Sequence, residues 1–308
     1  MQSKIENSKV DVGKPSQRLK ADSMLLLVAF IWGSAFVVQR IAALQVGVFF
    51  FNGLRFLLAA FFLLPFVLLG SQRSFHSLKR ADALAILLPG FLLWAGAGLQ
   101  QTGLQYTTAG NAGFITGLYV VIIPILLTLS GAQRPRPAIW LAALLAVFGL
   151  FLLSTGVKFQ LNIGDALELA GAFFWALHVL TIAWLVKRLD VLVLAIGQYL
   201  VCSALNLLTG LAFERETIPL IANAWWAIAY TGILSVGLGY TLQIVGQREA
   251  PPADAAIILS MEAIFAALFG WMILDEALTP IQLFGCGVML AGMLLAQVDT
   301  IKRQQEAG

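Results

Sequence analysis

The chain has 308 residues, of which 60% are apolar and 11% are charged, and its formal net charge is +3. Soluble proteins average about 45–50% apolar and about 25% charged residues, so this chain has too few charges to cover a soluble protein of its size. The composition therefore argues against a soluble enzyme, a nucleic-acid-binding protein and a disordered chain.

Apolar stretches long enough to cross a bilayer follow one another along the chain, since about 20 helical residues span a hydrocarbon core about 30 Å thick. A polar segment, residues 1–22, precedes the first stretch and is expected to be a disordered tail that does not act as a cleavable signal. Short loops leave no room for a soluble domain. The sequence predicts an all-α integral membrane protein with ten transmembrane helices, at residues 23–42, 47–69, 83–105, 108–130, 138–154, 165–186, 190–213, 224–246, 251–273 and 279–298.

The positions of lysine and arginine predict the orientation. With ten spans, both ends lie on one side of the membrane, together with 15 of the 19 basic residues; three lie on the opposite side and Arg55 lies within a span. Cytoplasmic loops carry the excess of Lys and Arg, so both termini are predicted to be cytoplasmic, including a short tail at residues 299–308.

The two halves of the chain, residues 23–154 and 165–298, come into register at an offset of 143 residues. Each half holds five spans, an odd number, so the second half enters the membrane from the opposite side. Inverted repeats are typical of secondary transporters and place the substrate site near the midplane; a duplication that kept only a stable bundle is the alternative. The recurring residues include Trp32 and Trp175, Gly96 and Gly239, Gln100 and Gln243, and Pro137 and Pro280.

Several short motifs, in this order and spacing, resemble the EamA family of the drug/metabolite transporter superfamily. The resemblance covers about residues 23–298 and implies two five-helix repeats that export or exchange small metabolites, including amino acids and drugs. The family commonly has proline after the ninth-span glutamate, where this chain has Ala263. The matching motifs are residues 32–36 (WGSAF), 54–59 (LRFLLA), 108–115 (TAGNAGFI), 259–263 (LSMEA), 275–279 (DEALT) and 285–292.

Few ionisable residues lie inside the predicted spans, where such groups are costly and often functional; the three candidates are Glu262, Arg55 and His178. Glu262 and Arg55 lie at similar depth, roughly 12 Å from the outer face at about 1.5 Å per residue. Glu262 is a candidate proton carrier or partner of a substrate amine, and Arg55 could pair with Glu262 or hold a substrate carboxylate. His178 is a second proton-coupling candidate and shares a helix face with Trp175. For each residue, a purely structural contact between helices is the alternative.

Aromatic and amide side chains well inside the spans are expected to complete the site. A mostly apolar pocket with a few fixed polar groups suits a small organic cargo. Helix packing and interhelical hydrogen bonds are the alternative roles of these residues. The candidates are Trp32, Trp94, Trp175, Tyr119, Tyr240, Gln100 and Gln243.

These observations predict a small-metabolite exporter of the bacterial inner (plasma) membrane that works by alternating access, for amino acids or similar amphipathic compounds. The expected partners are a small-molecule substrate and the lipid bilayer, with no nucleic acid, and a monomer is expected to suffice. We expect no cofactor and no metal, and no nucleotide-binding loop occurs in the sequence. The alternatives are a polytopic membrane enzyme, for which the sequence offers no clustered acids or nucleophile–base pair, and a non-transporting membrane bundle.

Overall fold

Helices make up nearly all of the protein in its computed structural model, which describes residues 15–69, 79–131, 135–154, 162–275 and 279–307. Within these ranges no residue forms a β-strand, as expected for an all-α protein. The helices of the first half are α1 (Pro15–Ala43), α2 (Val48–Leu69), α3 (Arg80–Gly103), α4 (Ala109–Thr116), α5 (Tyr119–Leu129) and α6 (Pro137–Ser154).

The second half follows the same order with one irregular stretch. A 3₁₀ segment, Arg215–Ala224, precedes α9, and a π-helix, Thr231–Tyr240, separates α9 from α10. The helices are α7 (Ile163–Leu185), α8 (Val191–Phe213), α9 (Trp225–Tyr230), α10 (Thr241–Glu249), α11 (Pro252–Leu259), α12 (Glu262–Leu274) and α13 (Pro280–Ala307).

Eight helical segments within the described ranges are long and apolar enough to cross a membrane. The fifth and tenth predicted spans correspond to the shorter apolar helices Pro137–Gly149 and Pro280–Ala296. Large apolar side chains, such as Leu129 and Phe213, cover the outside of the protein. An apolar exterior of this kind fits lipid, since monomeric soluble proteins rarely expose contiguous apolar patches of such extent.

The disorder predicted for residues 1–22 is wrong for residues 15–22, and the short tail at residues 299–308 is helical to Ala307. Helix α1 begins at Pro15, so residues 15–22 are helical; Arg18 and Asp22 form an ion pair one turn apart, with 2.8 Å between Nε and Oδ1, which supports the helix there. Residues 1–14 lie outside the described ranges. Helix α13 continues to Ala307, because residues 299–307 are mostly good helix formers.

Two predicted spans are interrupted at equivalent positions. Helices α4 and α5 are separated at Gly117 and Leu118, and helices α11 and α12 are separated at Ser260 and Met261. The two pairs of residues are 143 positions apart, which is the offset between the halves. At both interruptions the backbone hydrogen bonds tighten to three-residue spacing, as in Leu118 N to Ile115 O at 3.1 Å. The second interruption occurs although Ala263 replaces the proline common in the family.

Helix pairs and glycine contacts follow the same offset. Helix α2 packs against α8, and α6 against α13. A Cβ atom added at Gly149 would come within 2.6 Å of the Gly285 oxygen, and one added at Gly292 within 2.9 Å of the Ala142 oxygen. Glycine therefore allows close approach of α6 and α13 at two equivalent points.

Candidate functional site

A cavity lies between the two halves and receives side chains from both. It is narrow in this conformation, with about 30 Å³ of space open to water-sized spheres. Its wall contains nine of the ten residues that the sequence predicts for the site. The lining residues are Trp32, Phe36, Gln39, Arg55, Gln100, Thr116, Tyr119, Trp175, His178, Val179, Ser235, Tyr240, Gln243, Leu259 and Glu262.

The carboxyl group of Glu262 lies where the second interrupted span resumes. Glu262 is the first residue of α12, and Tyr119, at the equivalent position, is the first residue of α5. Both side chains are buried, and the Tyr119 hydroxyl donates a hydrogen bond to Glu262 Oε1 at 3.1 Å. The two helix interruptions therefore bring equivalent residues of the two halves into direct contact at the cavity.

The guanidinium group of Arg55 is buried without a carboxylate partner. It donates to Gln39 Oε1 at 2.6 Å and lies 5.2 and 5.3 Å from the ring centres of Phe51 and Phe56. No Asp or Glu oxygen of the described residues lies within 4.0 Å of it. The predicted pair with Glu262 is therefore wrong: similar depth in the membrane does not bring two side chains into contact, and each has another partner. Arg55 is left with capacity for an anion.

Aromatic rings surround the cavity, with Tyr240 at their centre. The Tyr240 ring lies 4.7 Å from Trp32, 6.0 Å from Trp175 in a nearly parallel arrangement, and 5.9 Å from His178 edge-on. Each tryptophan packs over a glycine of the other half, Trp32 over Gly239 and Trp175 over Gly96. These glycines are equivalent, so each lets an indole of the opposite half approach the cavity.

Two rings of the cavity wall are held by polar contacts, one with a backbone oxygen of the π-helix and one with the Gln198 side chain. Trp32 Nε1 donates to the Ser235 backbone oxygen, within the π-helix, at 3.1 Å. His178, which is only 1% exposed, has Nε2 2.9 Å from Gln198 Oε1. Because an amide oxygen accepts hydrogen bonds, this contact places a proton on His178 Nε2. Gln198 occupies the position equivalent to Arg55.

Gln100 and Gln243, although equivalent, have different surroundings. Gln100 Nε2 donates to Thr116 Oγ1 at 3.2 Å. Gln243 Oε1 is buried and accepts no hydrogen bond from the described residues. Trp94 is the one predicted residue that does not line the cavity; its ring packs against Phe91 at 5.4 Å.

Sequence reasoning missed six residues of the cavity wall, including Gln39, Thr116 and Ser235, and also Glu168 beside it. Thr116 ends α4 and lines the cavity, and its hydroxyl donates to Glu168 Oε2 at 3.2 Å. Glu168, on α7, is fully buried. As an acidic residue inside a predicted span it could have been recognised, but its position near the span end resembles that of an interfacial acid. Among the described residues no three His, Cys, Asp or Glu side chains are grouped as metal ligands.

An ion network lies away from the cavity, at the end where α1 begins. Arg18 NH2 lies 3.0 Å from Asp254 Oδ2, and Arg136 NH2 lies 3.1 Å from Asp254 Oδ1. Together with Asp22, these residues connect the start of α1, the start of α11 and the residue before α6. Arg18, Asp22 and Asp254 are buried. The equivalent of Asp254 in the first half is Asn111, which carries no charge.

Comparison with known proteins agrees with this architecture. The EamA-like transporter family matches residues 19–155 and 162–297. An uncharacterized transporter of Archaeoglobus fulgidus is 34% identical over 286 residues, covering 92% of this chain and 87% of that protein. The threonine/homoserine exporter RhtA of Escherichia coli is 30% identical over 179 residues, 56% of this chain and 58% of that protein.

One crystal structure with 18% sequence identity has a TM-score of 0.75 and covers 94% of this chain and 99% of its own, which establishes a common fold. The family matches together cover nearly the whole chain. The chain therefore belongs to the EamA-like transporter family and is a multi-pass membrane protein of the drug/metabolite transporter type.

Proposed function

We propose that this protein exports amino acids or similar amphipathic metabolites across the bacterial inner membrane by alternating access. The observation that carries the proposal is that Arg55 and Glu262 line one cavity whose other walls are aromatic rings and amides. A substrate carboxylate would bind the guanidinium of Arg55, which has no carboxylate partner, and a substrate ammonium would bind Glu262 and the faces of the rings. An amino acid carries both groups.

The scaffold supports a transporter of ten spans in two inverted repeats. Helices α6 and α13 have 18 and 28 residues, or about 27 and 42 Å at about 1.5 Å per residue, so both are long enough to add a span to the eight segments. Five spans in each half would then reverse the orientation of the second repeat. The excess of Lys and Arg on one side supports cytoplasmic termini.

The helix interruptions supply positions at which the repeats could change conformation. Both interruptions lie at the cavity, directly before Tyr119 and Glu262. Hinges in transporters and enzymes are commonly a few residues at element ends that absorb backbone rotation. Rotation at Gly117–Leu118 or at Ser260–Met261 would open the cavity to one side or to the other. The whole cavity is formed by one chain, which supports a functional monomer.

The relatives suggest the first substrates to test. RhtA is named a threonine/homoserine exporter, and both of its named substrates are zwitterions, which carry the two charges that Arg55 and Glu262 would bind. With no nucleotide-binding loop in the sequence, export would be driven by a substrate gradient or a proton gradient. We therefore choose L-threonine and L-homoserine as probes, followed by the other amino acids.

The test is efflux of radiolabelled amino acids from vesicles that contain the purified protein. We expect saturable efflux of at least one amino acid. Arg55→Gln, which introduces the residue of the equivalent position, should weaken binding about 30-fold or more, because a charge-pair contact of this kind contributes about 2–5 kcal/mol. Arg40→Gln is the matched control, since Arg40 donates to the Leu104 backbone oxygen outside the cavity.

Two results would contradict the proposal. If no amino acid is transported by the wild-type protein, the membrane enzyme and the non-transporting bundle become the better interpretations. If Arg55→Gln binds as tightly as Arg40→Gln, the carboxylate does not bind at Arg55.

Unchanged rate and pH dependence in Glu262→Gln would exclude Glu262 as a proton carrier.

A further inference from the structure

Glu168 is a buried acidic residue that the proposed substrate site does not use. Its side chain is 0% exposed; Oε2 accepts the hydrogen bond from Thr116, and Oε1 has no partner among the described residues. No Lys or Arg nitrogen of the described chain lies within 4.0 Å of it. An isolated carboxylate in such a place is costly, so the carboxyl group needs a proton or a cation.

Packing alone does not require an acid at this position. The equivalent residue of the first half is Leu25, which packs against Gly246. Glu168 packs in the same way against Gly103, the equivalent of Gly246. The first half therefore fills the same space with an apolar side chain. The carboxyl group of the second half adds a polar function to a contact that leucine can make.

A hydrogen-bonded path joins Glu168 to the cavity. Thr116 donates to Glu168, and Thr116 in turn accepts from Gln100; both Thr116 and Gln100 line the cavity. A threonine hydroxyl can donate and accept at once, so it can pass a proton between Glu168 and water in the cavity. Thr116 also directly precedes the interruption at Gly117 and Leu118, so movement there would make or break the path.

The ionisable groups around Glu168 are acidic. Asp165, one turn earlier on α7, and Glu262 on α12 are the groups whose charges act on it. Asp165 accepts hydrogen bonds from Thr107 and from the Asn162 backbone. The adjoining parts of α3 and α4 contribute Gly103, Gln100 and Thr116 rather than charges. Among the described residues, the neighbouring ionisable side chains therefore offer Glu168 no positive charge.

We propose that Glu168 is a second proton-binding carboxyl group, which receives protons from the side of the membrane where α7 begins and delivers them through Thr116 to the cavity. A proton from water on that side binds a carboxylate oxygen of Glu168. The carboxyl group later gives this proton to Thr116 Oγ1 while the Thr116 hydroxyl gives its own proton to cavity water or to Glu262, so Glu168 returns to the carboxylate and Thr116 stays neutral. The inference rests on the proposed function, in which proton entry would drive metabolite export.

Two measurements test this role. Infrared difference spectra of the purified protein between acidic and alkaline pH report carboxyl protonation without any substrate. We expect Glu168→Gln to remove one carboxyl band and Asp165→Asn, the matched control on the same helix, to leave that band in place. Glu168→Leu, with the residue that the first half uses, should give the same spectrum as Glu168→Gln in a stably folded protein.

The second measurement compares efflux driven by a pH gradient with amino acid exchange at zero gradient. Both are measured in vesicles loaded with the amino acid that the wild-type protein moves. Glu168→Gln and Thr116→Val should slow efflux driven by a pH gradient about tenfold or more, and Glu168→Gln should leave amino acid exchange at zero gradient within about twofold of wild type. Thr116→Ser, which keeps the hydroxyl, should restore gradient-driven efflux.

The outcomes distinguish this proposal from the proposed function. If the infrared band survives in both Glu168 variants, Glu168 does not bind the proton and the proposal is overturned. Equal loss of exchange and of gradient-driven efflux would make Glu168 a structural residue. If the wild-type protein moves no amino acid, the proposed function fails, while the infrared spectra still decide whether Glu168 takes up a proton.

Discussion

The two halves of the protein have the same scaffold and different chemistry. Helices α2 and α8 begin at equivalent residues, Val48 and Val191, and both interrupted spans break at the same offset. At the cavity, however, Tyr119 stands where the second half has Glu262, and Arg55 stands where it has Gln198. Positions that are alike in the two halves form helix contacts and part of the cavity wall, whereas positions that differ carry the ionisable groups of the site.

The ends of the helices differ between the halves as well. Asp190 caps its own helix α8 by accepting from the Leu192 backbone at 2.9 Å. The equivalent of Asp190 is Gly47, and the start of α2 is capped instead by Glu214, whose Oε2 accepts from the Phe49 backbone at 2.8 Å. One half is therefore capped locally, while the other depends on a residue from the opposite half.

The largest expected effect comes from the ion network around Asp254, whose equivalent in the first half, Asn111, carries no charge. Asp254→Asn, which introduces the residue of the equivalent Asn111, leaves buried Arg18 without its interhelical carboxylate. Breaking a buried charge pair in this way typically costs about 3–5 kcal/mol. Thermal unfolding in detergent should show a large loss of stability. The reverse change, Asn111→Asp, is the control; equal losses in both variants would mean that the network does not distinguish the halves.

An intermediate effect is expected where the halves agree. Gly149→Leu and Gly292→Leu each insert a side chain into the contact between α6 and α13. Overpacking of this kind costs about 1–3 kcal/mol, and the two variants should lose similar stability in the same unfolding assay. The exposed Gly131, with open space around it, is unsuitable as a matched site because its backbone φ is +66°. Unequal losses would show that the two equivalent contacts differ in tightness.

The smallest effect is the pH dependence contributed by Glu214. Burial raises the pKa of Glu214 above its ordinary value, and the hydrogen bonds from the Phe50 and Phe49 backbone partly oppose the increase. The folded protein therefore holds this proton more tightly than the unfolded chain. The stabilising contribution is complete below the ordinary carboxyl pKa and is lost as the pH rises through the higher folded pKa.

The variant Glu214→Gln should remove this part of the pH dependence. The measurement is the unfolding temperature of both proteins in detergent over an acidic to neutral series, with Glu216→Gln as the control on the neighbouring acid. If the unfolding temperature of the wild-type protein rises with pH relative to that of Glu214→Gln, the assigned direction of the Glu214 pKa shift is wrong.

Much of the candidate site could be predicted because polar and ionisable residues are rare inside membrane spans and therefore stand out. Glu262, Arg55 and His178 stand out in an apolar chain, and the repeat adds Gln100 and Gln243. Trp94 does not line the cavity, because depth along a helix does not determine which way a side chain faces. The direction of each side chain depends on how the helices rotate against one another, which the composition of a span does not specify.

Other features have no clear signal in the sequence. The interruption before Glu262 has no proline or glycine at Ser260 and Met261, and the π-helix at Thr231–Tyr240 corresponds to a regular α-helix in the first half. Both depend on contacts between helices, such as the bond from Trp32 to Ser235. The pairing of Arg55 with Gln39 likewise depends on helix rotation, so the predicted pair with Glu262 could not be tested without coordinates.

The hydrogen bond between Tyr119 and Glu262 bears on how the protein arose. Two separate copies of a five-span ancestor, related by symmetry, would place identical residues opposite each other at this point. Two glutamates there would repel, and two tyrosines would supply no acid. Because one chain carries both positions, they can hold different residues, so one side of the contact is a donor and the other an acceptor. Joining the two halves in one chain therefore allows the two sides of this contact to have different residues.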